Sequence, residues 1–315
     1  MATVSPSSTT SAGYSDVGLS PNTPYTYTVA AYDTGGNVSV QSSQVSATTL
    51  AAPPAPPTAY PICGQTVEGV PGDYSTIQSA IGAASVGDTI QIAAGTYDEN
   101  VNLKSGICLE GAGIDQVVIS KSGAPGITGD NVSYVIIEGL TVKNSGCEAG
   151  SCGGGEDGGG IQLLGSSDIT LRSCRLTGNA AANGGGVFAS DSSVIVDHCL
   201  IDGNSADNVG GGIVAEDNST VALTNVTVAD NAWSNHLGNG GVGGIRSYGS
   251  RFEITNSIVW GNNDKNLSGD GSNVSGSDIE GWSGGTNNIS SNPDFVSVTD
   301  YHLQAGSAAT GMGLN

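Results

Sequence analysis

The chain has 315 residues, 50 of them Gly, and eight Lys and Arg stand against 29 Asp and Glu, for a net charge of −21. This acidic balance argues against nucleic acid or an anionic membrane as a partner, because either would be repelled. No apolar run approaches the roughly 20 residues that a membrane span needs, so we expect no membrane insertion. The start, Met1-Ala2-Thr3, does not begin a signal peptide, and we expect it to be a fragment boundary.

The first region, residues 1–49, alternates polar and apolar side chains, most clearly over residues 17–33, and this alternation predicts β-strands. It resembles the second half of a fibronectin type III domain, with residues 36–49 as the last hairpin strand. Half of a sandwich cannot bury its own inner face, so we expect these strands to be poorly ordered or to borrow a partner surface. Residues 50–62 contain four Pro within residues 53–57 and predict an extended, semi-rigid linker.

A short helix is predicted from Asp73 onward, at the start of a third region that spans residues 63–315. Ser75 and Gln78 have the spacing of a capping box, in which each side chain bonds the other residue's backbone N–H. Four apolar residues then fall on one helix face: Ile77, Ala80, Ile81 and Ala84. We interpret this helix as the cap over an open, apolar end of a β-structure.

Residues 76–81, 87–97, 99–103 and 109–113 look like the opening of pectin-lyase-like right-handed β-helix proteins. The resemblance implies right-handed parallel coils over about residues 63–312, behind the N-terminal cap. Residues 300–307 are similar to the closing motif of secreted β-helix proteins, although residues 308–311 depart from it. The catalytic motifs of pectin methylesterases, polygalacturonases and pectate lyases are absent, so the resemblance carries no activity.

A sequence unit is repeated four times between Gly158 and Asn262, and it predicts the same fold from the residues alone. A Gly run precedes an apolar residue at 161, 187, 213 and 245, so the steps are 26, 26 and 32 residues. Within each unit apolar residues lie two apart and then skip one, as in short strands separated by corners. Such units can bury an apolar face only by stacking. We therefore predict an all-β parallel helix with Asn179, Asn204 and Asn231 stacked at one corner. The Gly-rich units also resemble the surface β-helices of bacterial adhesins and polymorphic membrane proteins.

Six Cys residues favour an extracellular or cell-surface location. We predict disulfides between Cys147 and Cys152, which flank a short excursion, and between Cys63 and Cys108, which would staple the first coil. Cys174 and Cys199 fall in the same inward column of adjacent coils. The sequence leaves open whether they form a disulfide or two stacked thiols.

An outward column of the predicted coils contains charged residues in succession: Glu138, Arg172, Asp197, Thr224 and Thr255. Arg175, Lys143 and Asp202 lie in neighbouring outward columns. A polysaccharide lyase needs a cation to neutralise a uronate and a base to remove a proton. Arg172, Arg175, Asp197 and His198 are the candidate catalytic residues, and Glu138, Asp197 and Asp202 are candidate Ca²⁺ ligands. The alternative interpretation is a surface charge ladder in which each pair is worth under about 1 kcal/mol.

Aromatic and polar residues of the last repeats form a candidate carbohydrate-binding set, because aromatic faces stack on sugars. Its members are Trp233, His236, Arg246, Tyr248 and Trp260. The alternative is that loops fold over the coils and bury these rings.

Two functions remain open at this stage. The first is a non-catalytic binding or adhesion scaffold that engages polysaccharide or a cell-surface glycan. The second is a Ca²⁺-assisted polysaccharide lyase or hydrolase acting on an acidic glycan in a groove along the coils. An acidic glycan would need bridging cations or a local basic patch, given the net charge of the chain.

Overall fold

The computed structural model describes residues 23–31, 35–48, 63–64, 67–148, 152, 157–234, 241–269 and 272–313. The chain divides into two compact units, Met1–Thr58 and Ala59–Asn315. Over the described ranges, no helix is both long enough and apolar enough to cross a membrane.

The first unit contains a β-hairpin. Strands Pro24–Tyr27 and Val45–Thr48 pair antiparallel, with Pro24 opposite Thr48 and Tyr27 opposite Val45. The hairpin lies within the first sequence region, residues 1–49. The early part of that region, residues 1–22, and the proline run of the predicted linker lie outside the described residues.

The second unit is a parallel β-helix, in which short strands of successive coils stack into long parallel sheets. In the described residues the largest sheet has nine strands: Val67–Val70, Thr89–Ile92, Cys108–Gly111, Ser133–Glu138, Ser167–Arg172, Ser193–Asp197, Thr220–Thr224, Arg251–Thr255 and Asn273–Ser275. A second sheet has eight: Gly95–Tyr97, Val117–Ile119, Thr141–Lys143, Arg175–Thr177, Leu200–Asp202, Thr227–Ala229, Ile258–Trp260 and Asp278–Ile279.

Two smaller sheets complete the coils in the same described ranges. The seven-stranded sheet consists of Val101–Asn102, Ile127–Asp130, Ile161–Leu164, Val187–Ser190, Ile213–Glu216, Ile245–Tyr248 and Leu267–Ser268. The three-stranded sheet consists of Ala180–Asn183, Ser205–Val209 and Ala232–Trp233. A separate antiparallel hairpin, Phe295–Ser297 with Asp300–Leu303, follows the last coil.

The repeat predicted from the Gly-rich units is confirmed by the strand register. Ile161 pairs with Val187, Val187 with Ile213, and Ile213 with Ile245. All four side chains are fully buried in one continuous apolar core. Because each contributes on the order of 1.5 to 3 kcal/mol when buried, stacking of the coils supplies the stability that a single coil lacks.

Polar ladders satisfy the backbone where the strands turn at the corners. The predicted Asn ladder is confirmed: the amide of Asn179 donates to Asn204 at 2.9 Å, and that of Asn204 donates to Asn231 at 2.9 Å. A second ladder was not predicted, and in it the backbone N–H of one Ser donates to the hydroxyl of the next. Its links join Ser166 to Ser192, Ser192 to Ser219, and Ser219 to Ser250, each at 3.0 Å.

The predicted helix is confirmed as Ile77–Ala83, but its capping box was placed one residue too early. The cap is Thr76, which exchanges hydrogen bonds with Ser79. Gln78 instead ties the helix to the first coil, since its side chain accepts from the backbone N–H of Asn102 at 2.7 Å. The carboxylate of Glu99 accepts from the N–H groups of Ile77 and Gln78, which places a negative charge at the helix N-terminus.

Both predicted disulfides are present. Cys63 bonds Cys108 across a Cα separation of 5.8 Å, and Cys147 bonds Cys152 across 5.3 Å. Cys174 and Cys199 are free, buried thiols. The backbone N–H of Cys174 donates to the Cys199 sulfur at 3.4 Å, so the two thiols stack on adjacent coils at one corner.

The C-terminal hairpin covers part of the outer face of the eight-stranded sheet. Tyr301 packs with Leu200 and Ala229, and its hydroxyl donates to Asp230 at 2.9 Å. Burial, followed by the hydrogen bond to Asp230, raises the pKa of Tyr301 well above its ordinary value. This face is therefore closed to a large ligand where the hairpin lies.

Candidate functional site

The outer face of the nine-stranded sheet bears a row of polar side chains, one from each coil, which we call the polar row. Its members are Gln91, Glu110, Glu138, Arg172, Asp197, Thr224, Thr255 and Ser275. The register confirms the predicted succession from Glu138 to Thr255 and extends it at both ends. Neighbouring members are about 4.8 Å apart, because that is the spacing of paired strands.

Arg172 lies between two carboxylates in the middle of the polar row. Its Nη1 atom is 3.6 Å from Oε2 of Glu138, and its Nε atom is 3.9 Å from Oδ2 of Asp197. The exposed fractions of the three side chains are 47% for Arg172, 41% for Glu138 and 28% for Asp197. At these distances and exposures each pair is worth well under about 1 kcal/mol, so the charges compensate one another without locking the side chains.

His198 occupies the corner that follows Asp197. Its backbone φ is 51°, in the left-handed region. The positions that follow the polar row on other coils also have positive φ: Gly139, Ser173, Asn225, Asn256 and Gly276. The Nδ1 atom of His198 is 2.7 Å from Oδ1 of Asp197, and its Nε2 atom is 3.4 Å from the amide nitrogen of Asn225. The predicted neighbours Arg172, Asp197 and His198 are thus brought together.

The structure does not bring Arg175 and Asp202 to that group. Both lie on the eight-stranded sheet, beyond the corner at Ser173. The guanidinium of Arg175 donates to both carboxylate oxygens of Asp202, at 2.9 and 2.8 Å, and the hydroxyl of Thr177 donates to one of them. This hydrogen-bonded pair raises the pKa of Arg175. The sequence shows which residues point outward, but it does not show where the chain turns from one sheet onto the next. The outward faces of the two sheets therefore could not be distinguished from the sequence.

The three predicted Ca²⁺ ligands do not converge. Glu138 and Asp197 stand on either side of Arg172, and Asp202 is bound to Arg175 on another sheet. In the part of the chain that the structure describes, no three His, Cys, Asp or Glu side chains are grouped as a metal site. Glu138 and Asp197 are the two predicted ligands that lie on the polar row.

The predicted aromatic set is divided among three sheets. Trp233 ends a strand of the three-stranded sheet, Arg246 and Tyr248 lie on the seven-stranded sheet, and Trp260 lies on the eight-stranded sheet. Trp233 packs so closely on Gly241 that a Cβ atom there would fall 1.8 Å from the indole ring. His236 lies outside the described residues. The four described members therefore lie on different sheets and do not form one platform, and Trp233 packs against Gly241.

One pair of that set does form a local stacking surface. The guanidinium carbon of Arg246 lies 4.1 Å from the ring centroid of Tyr248, which is an exposed side chain. Arg246 also donates to the hydroxyl of Ser268 at 2.8 Å, so the guanidinium is held over the ring. Such cation–π pairs are worth about 0.5 to 1 kcal/mol when exposed.

Apolar residues beside the polar row were missed by the sequence reasoning. Ile136, Thr170, Ile195 and Ala222 follow one another in register on the same outer face, and Ile195 is exposed. The signal was present, because each lies between two inward apolar residues of its strand. The extra row member Glu110 was also visible, since Leu109-Glu110-Gly111 repeats the pattern of Ile137-Glu138-Gly139.

Comparisons with known proteins agree with this architecture. The family model described as a right-handed beta helix region matches residues 98–242. No curated protein sequence matches the chain. The family match and the stacked parallel sheets together define the second unit as a right-handed parallel β-helix.

Solved structures with a similar fold include enzymes and an adhesin. The family 28 exopolygalacturonase of Yersinia enterocolitica is 14% identical with a TM-score of 0.41, over 86% of this chain and 63% of that one. Pectin methylesterase from carrot is 15% identical with a TM-score of 0.41, over 73% and 84%. The surface adhesin PfbA of Streptococcus pneumoniae is 13% identical with a TM-score of 0.35, over 71% and 73%. At these identities the likeness is one of fold alone, and this chain spans less than two thirds of the Yersinia protein.

Proposed function

We propose that the protein is a non-catalytic scaffold that binds a polysaccharide or cell-surface glycan along the polar row. The observation that carries the proposal is the continuity of the row: eight successive coils each present one polar side chain in register. Donors and acceptors that recur about every 4.8 Å suit an extended polymer whose hydroxyl groups also recur along its length.

The state of the charges in the row favours binding over catalysis. Arg172 is shared between two carboxylates, and all three side chains are in contact with water. In water, charge interactions at about 4 Å are worth only about 1 kcal/mol. Active sites gain their electrostatic strength by excluding water around the reacting groups. An open row on a flat sheet face offers hydrogen bonds to a ligand instead.

The covalent framework supports an extracellular or cell-surface setting for this function. Disulfides such as Cys63–Cys108 and Cys147–Cys152 persist in oxidising compartments. In the proposed arrangement, the N-terminal unit that resembles half of a fibronectin type III domain acts as a spacer.

A Ca²⁺-assisted lyase or hydrolase is the second candidate, and one contact favours it. The hydrogen bond of 2.7 Å between Asp197 and Nδ1 of His198 would orient the imidazole as a general base, one coil from Arg172. Arg172 would neutralise a uronate, and Ca²⁺ would be held by either Glu138 or Asp197, which stand on opposite sides of Arg172, together with a carboxylate of the glycan. Arg175 and Asp202 have no part in this arrangement, because they bind each other elsewhere.

The two candidates are separated by measuring binding and turnover on the same glycan panel. Calorimetric titration reports binding, and the ultraviolet absorbance of unsaturated uronates together with new reducing ends reports cleavage, with and without Ca²⁺. We expect binding without product, weakened about tenfold by Arg172→Ala, and unchanged by Lys121→Ala, whose side chain pairs with Asp98 away from the row. If the wild type forms product and Arg172→Ala does not, the protein is an enzyme and not a non-catalytic scaffold.

A further inference from the structure

The outer face of the nine-stranded sheet has little free positive charge. Two guanidinium groups lie on it, those of Arg172 and Arg251, and each is paired with carboxylates of the same face. The carboxylates include those of Glu110, Glu138, Asp197 and Glu253. With at least four carboxylates against two guanidinium groups, the described strands of this face are negative, on a chain that is itself at −21.

A polyuronate or sulfated chain laid on this face would be repelled by its carboxylates. Each coil that bears a carboxylate would add a like-charge contact instead of an ion pair, and the field of the whole chain has the same sign. The one cation in the middle of the row, Arg172, already has two carboxylates as neighbours. A polyanion would therefore have to displace those carboxylates or bring its own cations.

The chemistry of the face fits an uncharged chain instead. The polar row ends in hydroxyl groups on three successive coils, those of Thr224, Thr255 and Ser275. Beside it the register places a mostly apolar strip of Ile136, Thr170, Ile195 and Ala222, in which Thr170 carries the one hydroxyl group. A row of hydrogen-bonding groups next to a mostly apolar strip matches a sugar ring, which has hydroxyl groups at its edge and C–H groups on its face.

We infer that the ligand of this face is a polysaccharide without carboxylate or sulfate groups. The inference rests on the proposed glycan-binding function and names the class of glycan. It predicts that affinity is insensitive to salt, since hydrogen bonds and apolar contacts are screened far less than exposed charges.

The test compares the wild-type protein with a variant in which two carboxylates of the face are made neutral. Uncharged polymers (galactomannan, xyloglucan and mixed-linkage glucan) and polygalacturonate are titrated at low and high salt, with a chelator present. We expect the wild type to bind at least one uncharged polymer and not polygalacturonate. The double variant Glu138→Gln/Asp197→Asn leaves Arg172 without carboxylate partners. It should gain polygalacturonate binding by at least about tenfold.

The control variant is Asp98→Asn/Asp300→Asn, which removes the same charge from two exposed positions away from the row. It should not gain polygalacturonate binding. Chelator-resistant binding of polygalacturonate to the wild type would overturn the inference while leaving the proposed function intact. A double variant that gains no polygalacturonate binding, or a control that gains as much, would also overturn it. Failure of every polymer to bind the wild type would overturn the proposed function itself, and thermal unfolding of each variant establishes that it is folded.

Discussion

Two ladders run along the same β-helix with the same register, one inside and one outside, and they differ in what holds them together. Inside, the amides of Asn179, Asn204 and Asn231 are joined at 2.9 Å and are almost fully buried. Outside, Glu138, Arg172 and Asp197 are separated by 3.6 and 3.9 Å and remain in contact with water.

The difference shows that periodicity places side chains and that burial sets their energy. A buried amide that loses its partner cannot turn to water, so each link of the inner ladder is expensive to break. The outer contacts compete with water and can be given up to a ligand at little cost. The inner ladder therefore holds the coils, and the outer row is free to bind.

The largest effect is expected from breaking the inner ladder in its middle. The Asn204 side chain accepts from the backbone and amide of Asn179 and donates to Leu176 and to Asn231. Asn204→Ala leaves several of these buried groups unsatisfied, and at about 1 to 3 kcal/mol each we expect a loss near 4 kcal/mol in the free energy of unfolding. Denaturant unfolding measures it. The control is Asn273→Ala on the outer face, expected within about 0.5 kcal/mol, and equal losses would contradict the comparison.

A smaller effect on the free energy of unfolding is expected at Asp278. Its carboxylate is buried, whereas that of Asp197 is partly exposed. Its Oδ1 atom accepts from the backbone N–H of Ser291 at 3.0 Å, and its buried Oδ2 atom has no hydrogen-bond partner among the described residues. Burial raises the pKa of Asp278 above its ordinary 3.8; the Ser291 N–H opposes this shift and the charge of Glu280 adds to it.

The sign of the pH dependence follows from that shift. A raised pKa means that the folded state holds the proton more tightly than the unfolded state does. The contribution of Asp278 to the free energy of unfolding is therefore fully present below pH 3.8, and it is lost as the pH rises through the pKa of the folded state. Asp278→Asn should gain roughly 1 kcal/mol over the wild type at neutral pH, because no charge is buried, and little below pH 3.8. The exposed Asp98→Asn is the control, and a gain that grows toward low pH would contradict this assignment.

Replacing a buried thiol is expected to change the free energy of unfolding by no more than the Asp278 substitution does. Cys199 points its sulfur at the carbonyl of Asp197, two residues back, as Ser257 does with its hydroxyl toward Thr255. Both side chains also accept from a backbone N–H of an adjacent coil, that of Cys174 for Cys199 and that of Val226 for Ser257. Cys199→Ser should therefore cost only about 1 kcal/mol, and neither thiol should react with a thiol reagent in the folded protein. Rapid labelling of Cys174 in the native state would contradict their burial.

The smallest change in stability is expected from the outer row itself. Arg172→Ala removes two long, exposed ion pairs, so the free energy of unfolding should fall by less than about 1 kcal/mol. Arg175→Ala is the matched variant, because it leaves Asp202 buried without its bidentate partner and should cost more. Equal losses in the free energy of unfolding for the two variants would show that side-chain exposure does not set the strength of these ion pairs.

The sequence predicted those features that depend on the repeat. The stacking of Ile161 on Val187, the Asn ladder and the order of Glu138, Arg172 and Asp197 all follow from positions counted within a unit. The pairing of Cys147 with Cys152 followed from their closeness in the chain.

Contacts that cross the repeat could not be read in the same way. Tyr301 reaches Asp230 over 71 residues, and no period connects them. Arg175 and Asp202 were grouped with Arg172 in the sequence. A short corner turns the chain onto another sheet between these positions, and no residue pattern marks that turn. The aromatic residues were grouped by their distance along the chain, whereas the coil distributes them among its faces.

The most direct test of the account is to obstruct the polar row without disturbing the coils beneath it. Thr224→Trp places a large side chain on the outer face of the nine-stranded sheet, and Thr96→Trp does the same on the eight-stranded sheet. Calorimetric titration with the glycan that the wild type binds should show at least about a tenfold loss of affinity for Thr224→Trp and none for Thr96→Trp, with similar melting temperatures. Equal affinity in all three proteins would contradict the assignment of the binding site to the polar row.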